Sequence, residues 1–154
     1  MDKSDHSVRV DSHLQSNEPD VYAAGDIARW GEGSGTRIEH WRLAEQHGMI
    51  AAHNMLGHGD DMGTHVPFFW TTQWKITLNY VGHATKWDEI IYRGSPQDKK
   101  FIAFYVTGGK LQAAAGCGYD QDLDALEFIL RDKLPLSTAQ MRDTSFSLSN
   151  YASK

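Results

Sequence analysis

Apolar and polar positions change their period twice along the 154-residue chain. Near the start, Ser7–Val10 and Asp20–Ala24 are short runs of β-forming and small residues. They predict two short strands joined by a polar loop that holds Pro19. In this reading Val21–Ala24 is buried, Gly25 lets the backbone turn, and Asp26 stands at the strand's C-terminal end. From Glu39 to about Leu56 the apolar spacing lengthens to threes and fours. Leu43, the Gln46–His47 pair, Ile50 and Met55 mark one helical face. Ala44, Ala51 and Ala52 keep the helix slim, and Gly57 ends it. Gly57–Pro67 is polar and glycine-rich, and a domain boundary is placed there, separating residues 1–60 from 61–154.

After Pro67 the period shortens to two. "FFWTTQ", "WKITLNYVG", "DEIIYRG" and "KKFIAFYVTGGKLQAAAGCG" follow one another, and Gly108-Gly109 between two apolar runs predicts a hairpin. Asp122–Leu134 then predicts an amphipathic helix with Leu123, Leu126, Ile129 and Leu130 on one face and Asp122 as its N-cap. Ser137 caps a shorter helix to Arg142, and the tail beyond it reads as frayed. The fold class is α+β: an antiparallel sheet of about five strands with C-terminal helices. A strand–loop–helix piece of α/β character precedes it. That piece has too few strands for a sheet of its own and reads as the end of a larger domain lying upstream.

Composition narrows the chemistry. The apolar fraction of 40% suffices for a core, and a net charge of −5 without a basic patch argues against nucleic acid. No apolar run reaches the ~18 residues of a membrane helix, and "MDKSDHSVRV" lacks a signal peptide's apolar segment. Cys117 stands alone, which excludes an internal disulfide and a CxxC pair. It reads as a core residue of a cytoplasmic protein. His40, His47 and His53 lie along the predicted helix at steps of seven and six, too far apart to share a metal. Asp120, Asp122 and Asp124 open like a calcium loop but lack its Gly and its closing Glu. Asp60-Asp61 reads as solvated linker. In an acidic chain Phe68, Phe69, Trp70, Trp74, Tyr80 and Trp87 read as β-core rather than as a base-stacking surface. The Gly31–Arg37 stretch is a flexible loop without the G-x-G-x-x-G of a dinucleotide fingerprint.

Three stretches carry a resemblance: "VDSHLQSNEPDVYAAGDIA" (Val10–Ala28), "RIEHWRLAEQHGMIAAHNMLG" (Arg37–Gly57) and "PFFWTTQWKITLNYVGHATKWDEIIYRG" (Pro67–Gly94). Together they resemble the C-terminal part of the ferredoxin-reductase-like, apoptosis-inducing-factor-like branch of FAD-dependent pyridine-nucleotide oxidoreductases. Gly-Asp alone is common among flavoproteins, whereas "EHW" followed by "PFFWTTQ" is particular to this branch. The resemblance implies an FAD domain, an inserted NAD(P)H domain and a C-terminal α+β domain. It implies electron flow from NAD(P)H through flavin to an iron–sulfur acceptor, a ferredoxin or a Rieske-type protein. Gly25 and Asp26 would meet the ribityl and phosphate region of FAD. His40 and Trp41 would lie at the helix start beside the flavin's pyrimidine edge, and Trp70 would approach from the C-terminal domain. No catalytic residue and no metal ligand is assigned within this chain. The glycine-rich turns for FAD and NAD(P)H are absent, so most of such an enzyme would lie upstream, and the chain alone is expected to bind FAD weakly or not at all. The implied partners are the N-terminal FAD and NAD(P)H domains and the iron–sulfur acceptor, with neither nucleic acid nor membrane; a homodimer is compatible. The alternative is a non-catalytic docking or dimerisation module whose flavin motifs are inherited but unused.

Overall fold

Val8–Arg9 (β1) runs parallel to Ala28–Arg29 (β2), with Val8 opposite Ala28. The computed structural model containing this pair describes residues 5–31 and 35–153. Residues 1–4 of the N-terminal stretch, 32–34 of the glycine-rich loop and 154 lie outside the described residues. The chain divides into two compact units, Met1–His65 and Val66–Lys154.

In the first unit the expected strand at Asp20–Ala24 does not form. The segment finds its partners within its own loop: Gln15 bridges Tyr22, the Ser16 N–H donates to Val21 O at 2.8 Å, and Ala23 N–H donates to Leu14 O at 3.1 Å. Val21 is half exposed rather than buried. A strand needs a neighbour along its length, and this segment has a folded-back loop instead. The chain then makes a 3-10 turn over Gly25–Ile27, so Asp26 lies within a turn that precedes β2 rather than at a strand end.

The helix α1 spans Trp41–Met55, two residues inside the expected start, because His40 is its N-cap and its side chain accepts the Arg42 N–H. Its buried face is Leu43, His47, Ala51 and Asn54. Met55, expected on that face, is exposed. Two polar residues therefore occupy the inward stripe. The Asn54 amide explains its own place: it donates to the His13 and Asp60 carbonyls and accepts the Asp60 N–H, pinning two loops.

The second unit is one antiparallel sheet of five strands: Phe68–Gln73 (β3), Ile76–Gly82 (β4), Glu89–Ser95 (β5), Lys100–Thr107 (β6) and Lys110–Cys117 (β7), in the order β3-β4-β7-β6-β5. Gly108 and Gly109 both have positive φ, +55° and +75°, as a two-residue hairpin loop between β6 and β7 requires. Phe104, Ile91, Ile102 and Val81 on the sheet meet Leu123, Leu126 and Ile129 on α2, Asp120–Arg131. Cys117 is buried in β7.

Three expectations change here. Asp122 is not the N-cap of α2, a position held by Tyr119; its carboxylate instead accepts from Arg93 Nη1 and from the Leu148 N–H, both at 3.1 Å. The tail is not frayed: after α3 (Thr138–Arg142), capped reciprocally by Ser137 and Gln140, comes α4 (Leu148–Ala152). Leu148 is fully buried, and the Tyr151 hydroxyl donates to Pro135 O at 2.5 Å. The tryptophans are not β-core: Trp70, Trp74 and Trp87 are 38%, 90% and 47% exposed. Pairing explains this for the hairpin. β7 pairs with β4 only over Asn79–Gly82, so the outer part of the β3–β4 hairpin extends past the sheet. At its inner end Phe68 packs on the core and Phe69 stacks on Tyr80 at 5.2 Å.

Candidate functional site

Gly25 turns the chain with φ +75°, and a Cβ built there would come within 3.2 Å of Ala44 Cβ on α1. Only glycine combines that dihedral with so close a seat on the helix. The Gly25 N–H donates to His47 Nδ1 at 3.2 Å in a buried bond, and its carbonyl accepts the Ala28 N–H. On the other side Arg37 Nε donates to Asp26 O at 2.6 Å, and the same guanidinium is 2.7 Å from Glu39. The turn's backbone is thus held from both sides. The Asp26 side chain is exposed, and among the described residues none hydrogen-bonds its carboxylate.

The helix that seats this turn begins with the other two candidates. His40 uses its imidazole on the Arg42 N–H, and the His40 and Trp41 rings lie 5.7 Å apart. Trp41 is 61% exposed at the positive end of a 15-residue helix with no acidic residue in its first turn. Gly25, Asp26, His40 and Trp41 therefore belong to one assembly around the start of α1. Trp70 belongs to the second unit, on edge strand β3 opposite Asn79.

Two residues to which the sequence reading assigned no functional role are central, one of them, His47, already placed on the helical face. His47 is completely buried, edge to face with Trp30 at 4.8 Å, and its Nε2 has no hydrogen-bond partner among the described residues. Burial, and secondarily the charge of His65, push its pKa down to about 4. His65 is likewise pushed down, by burial and then by Arg42. The available signal was His47's place on the Leu43–Ala51 stripe. Arg93 is the other, buried in β5 between outward-facing Tyr92 and Gly94, and alternation marked it as inward-facing.

Residues 68–152 match the protein family described as Reductase C-terminal. The chain belongs to this family. Human apoptosis-inducing factor 3 is 36% identical over 117 residues, 73% of this chain and 19% of that protein. The ferredoxin–NAD(+) reductase component of the anthranilate 1,2-dioxygenase system of Burkholderia cepacia is 27% identical over 151 residues, 96% of this chain and 37% of that one. A crystal structure of the covalent putidaredoxin reductase–putidaredoxin complex matches with a TM-score of 0.83 at 29% identity, covering 96% of this chain and 36% of that one. This reductase C-terminal chain thus spans well under half the length of these relatives, and its sheet and closing helices are the expected α+β domain.

Proposed function

We propose that this chain is the C-terminal portion of an FAD-dependent NAD(P)H oxidoreductase that passes electrons to an iron–sulfur protein of ferredoxin or Rieske type. The observation that carries this reading is the likeness to a ferredoxin–NAD(+) reductase component along 96% of the chain, which takes in both units. Residues 1–60 are then the end of the FAD domain and 61–154 the reductase's C-terminal domain.

The residues present fit one part of such a cofactor. Asp26 offers a carboxylate with no partner among the described residues, set in a turn whose backbone is already tied, and so suited to accept hydrogen bonds from the ribityl hydroxyls. Gly25 contributes close approach rather than a donor, since its N–H is engaged by His47. His40 caps the Arg42 N–H, so α1 acts on an anionic flavin edge chiefly through its dipole, with Trp41 as the exposed ring there. Trp70, exposed on edge strand β3, is the residue of the second unit that the family resemblance assigns to the flavin. The flavin, when bound, supplies hydride acceptance and one-electron release; the protein supplies placement and electrostatics. The pyrophosphate and adenine need glycine-rich turns that this sequence does not hold.

The test is the flavin content of the full-length natural protein and of its Asp26→Ala variant. The natural protein is expected to be yellow, with one FAD per chain. The variant loses a charge-assisted hydrogen bond of ~1.5–3 kcal/mol, or about tenfold to a hundredfold in affinity, with its fold intact. A colourless full-length protein that still folds and associates would overturn the reading in favour of a docking module. Unchanged flavin retention in Asp26→Ala would remove Asp26 from the site.

A further inference from the structure

We propose that His47 is a positioning residue for Asp26: its neutral Nε2–H tautomer holds the Gly25 turn on α1 and thereby fixes where the Asp26 carboxylate stands. This rests on the reading of Asp26 as a flavin-polyol ligand. The geometry has three parts. The Gly25 N–H is a donor, so the nitrogen it reaches, His47 Nδ1 at 3.2 Å, must be the lone-pair nitrogen, and the ring proton belongs on Nε2. Nε2 is buried without a conventional partner, and the Trp30 ring lies edge to face with the imidazole at 4.8 Å. A buried imidazole with one ring nitrogen already accepting the Gly25 N–H and the other without a polar partner is far cheaper to keep neutral than as a cation. The third part is redundancy of restraint. His47 holds the Gly25 amide, Arg37 holds the Asp26 carbonyl, and Ala44 blocks the turn from sinking further. The Asp26 carboxylate, exposed and without a hydrogen-bond partner among the described residues, is the side-chain group this restrained turn presents to a ligand.

His47 has no access to solvent. Its role is therefore to hold Asp26, not to touch a cofactor, and it is distinguishable from mere core filling. His47→Phe keeps an aromatic ring in place and removes the acceptor. His47→Asn puts a carbonyl oxygen near the Nδ1 position and restores an acceptor on a smaller side chain.

The experiment is multiple-bond ¹⁵N–¹H NMR on the 154-residue chain, with hydrogen exchange. His47 is expected to show a proton on Nε2 and an unprotonated Nδ1, with coupling across the hydrogen bond to the Gly25 amide. Exchange at Gly25 should quicken at least tenfold in His47→Phe while the α1 amides keep their protection, and slow again in His47→Asn. In the full-length protein FAD affinity should fall with His47→Phe and recover with His47→Asn. A proton on Nδ1, or Gly25 exchange unchanged in a folded His47→Phe, overturns the proposal. If that variant does not fold, the wild-type tautomer and coupling decide it. Unchanged FAD affinity despite lost Gly25 protection overturns the positioning role. A full-length protein without flavin instead sinks the functional reading, while the NMR result still stands on its own.

Discussion

Arg93 is fully buried, and every arm of its guanidinium is engaged. Nε donates to Met141 O at 3.0 Å, Nη1 to Asp122 and Phe146 O at 3.1 Å each, and Nη2 to Gln140 O at 2.6 Å, with the Phe104 ring 5.6 Å below. One side chain thus joins β5 to α2, α3 and the approach to α4. Arg93→Met would keep the volume, leave the Asp122 carboxylate with the Leu148 N–H but no cation, and strand three carbonyls. We predict a loss of about 3–5 kcal/mol in the second unit, read as a shift of its urea midpoint. His47 sets a second prediction. Its pKa falls from 6.5 to about 4 on folding, so below pH 6.5 the unfolded chain binds a proton that the folded one does not. Its contribution, at most about 3 kcal/mol, is complete above pH 6.5 and is lost as pH falls toward 4. The charge of His65 adds to the lowering of His47, and His65, itself pushed down by burial and by Arg42, acts in the same direction. Urea unfolding followed on α1 resonances should show a slope between pH 6.5 and 4 that flattens in His47→Phe; an unaltered slope would place the proton uptake elsewhere. At this scale the sequence was legible where a residue's chemistry agrees with its pattern, as for Leu43 or Phe104. It was not legible where a polar residue sits on an apolar stripe, because pattern alone does not say which partner satisfies it.

Among the elements, the strands of the second unit were readable because their alternation is bounded by glycines. Gly108-Gly109 sets the first two β6–β7 pairs, Thr107 with Lys110 and Val106 with Leu111, and an irregularity between Tyr105 and Val106 shifts the register beyond them. The five-residue helix α4 was not. It is too short to show a helical period, and Leu148 is held by the distant Asp122 as well as by the core. Val21–Ala24 failed in the opposite direction, with strand-like residues but no neighbouring strand. The β3–β4 hairpin has the most functional consequence, because Trp70 lies exposed on its edge strand opposite Asn79 and its outer half, past the last β4–β7 pair, carries Trp74 to the surface. For Trp70→Ala in the full-length protein we predict flavin reduction by NAD(P)H within about threefold of wild type, under ~1 kcal/mol in barrier. Turnover with an iron–sulfur acceptor should fall about tenfold or more, ~1.4 kcal/mol or above. Stopped-flow flavin reduction beside steady-state acceptor reduction, on a variant with a checked melting temperature, separates the steps. Parallel losses, or none, would make Trp70 only an anchor of its own unit.

For the whole molecule, the two-part division and the α+β class follow from the change of period near Pro67, and the compact units divide after His65. A fragment of residues 66–153 should therefore melt cooperatively by itself. The same fragment ended at Arg142 loses the buried Leu148, and should be weaker by about 2–5 kcal/mol, the cost of emptying a large apolar site. Equal stability of the two would make α4 an ornament of the fold. The electron-transfer role is the central claim, and it belongs to the full-length protein. Its most direct test is anaerobic mixing of that protein, with bound FAD, against NADH or NADPH and then an oxidised iron–sulfur ferredoxin. The account predicts bleaching of the flavin by one of the two nucleotides, followed by reappearance of flavin colour as the ferredoxin is reduced over many turnovers. A flavin that neither nucleotide bleaches, or a reduced flavin that leaves the ferredoxin oxidised, would contradict it.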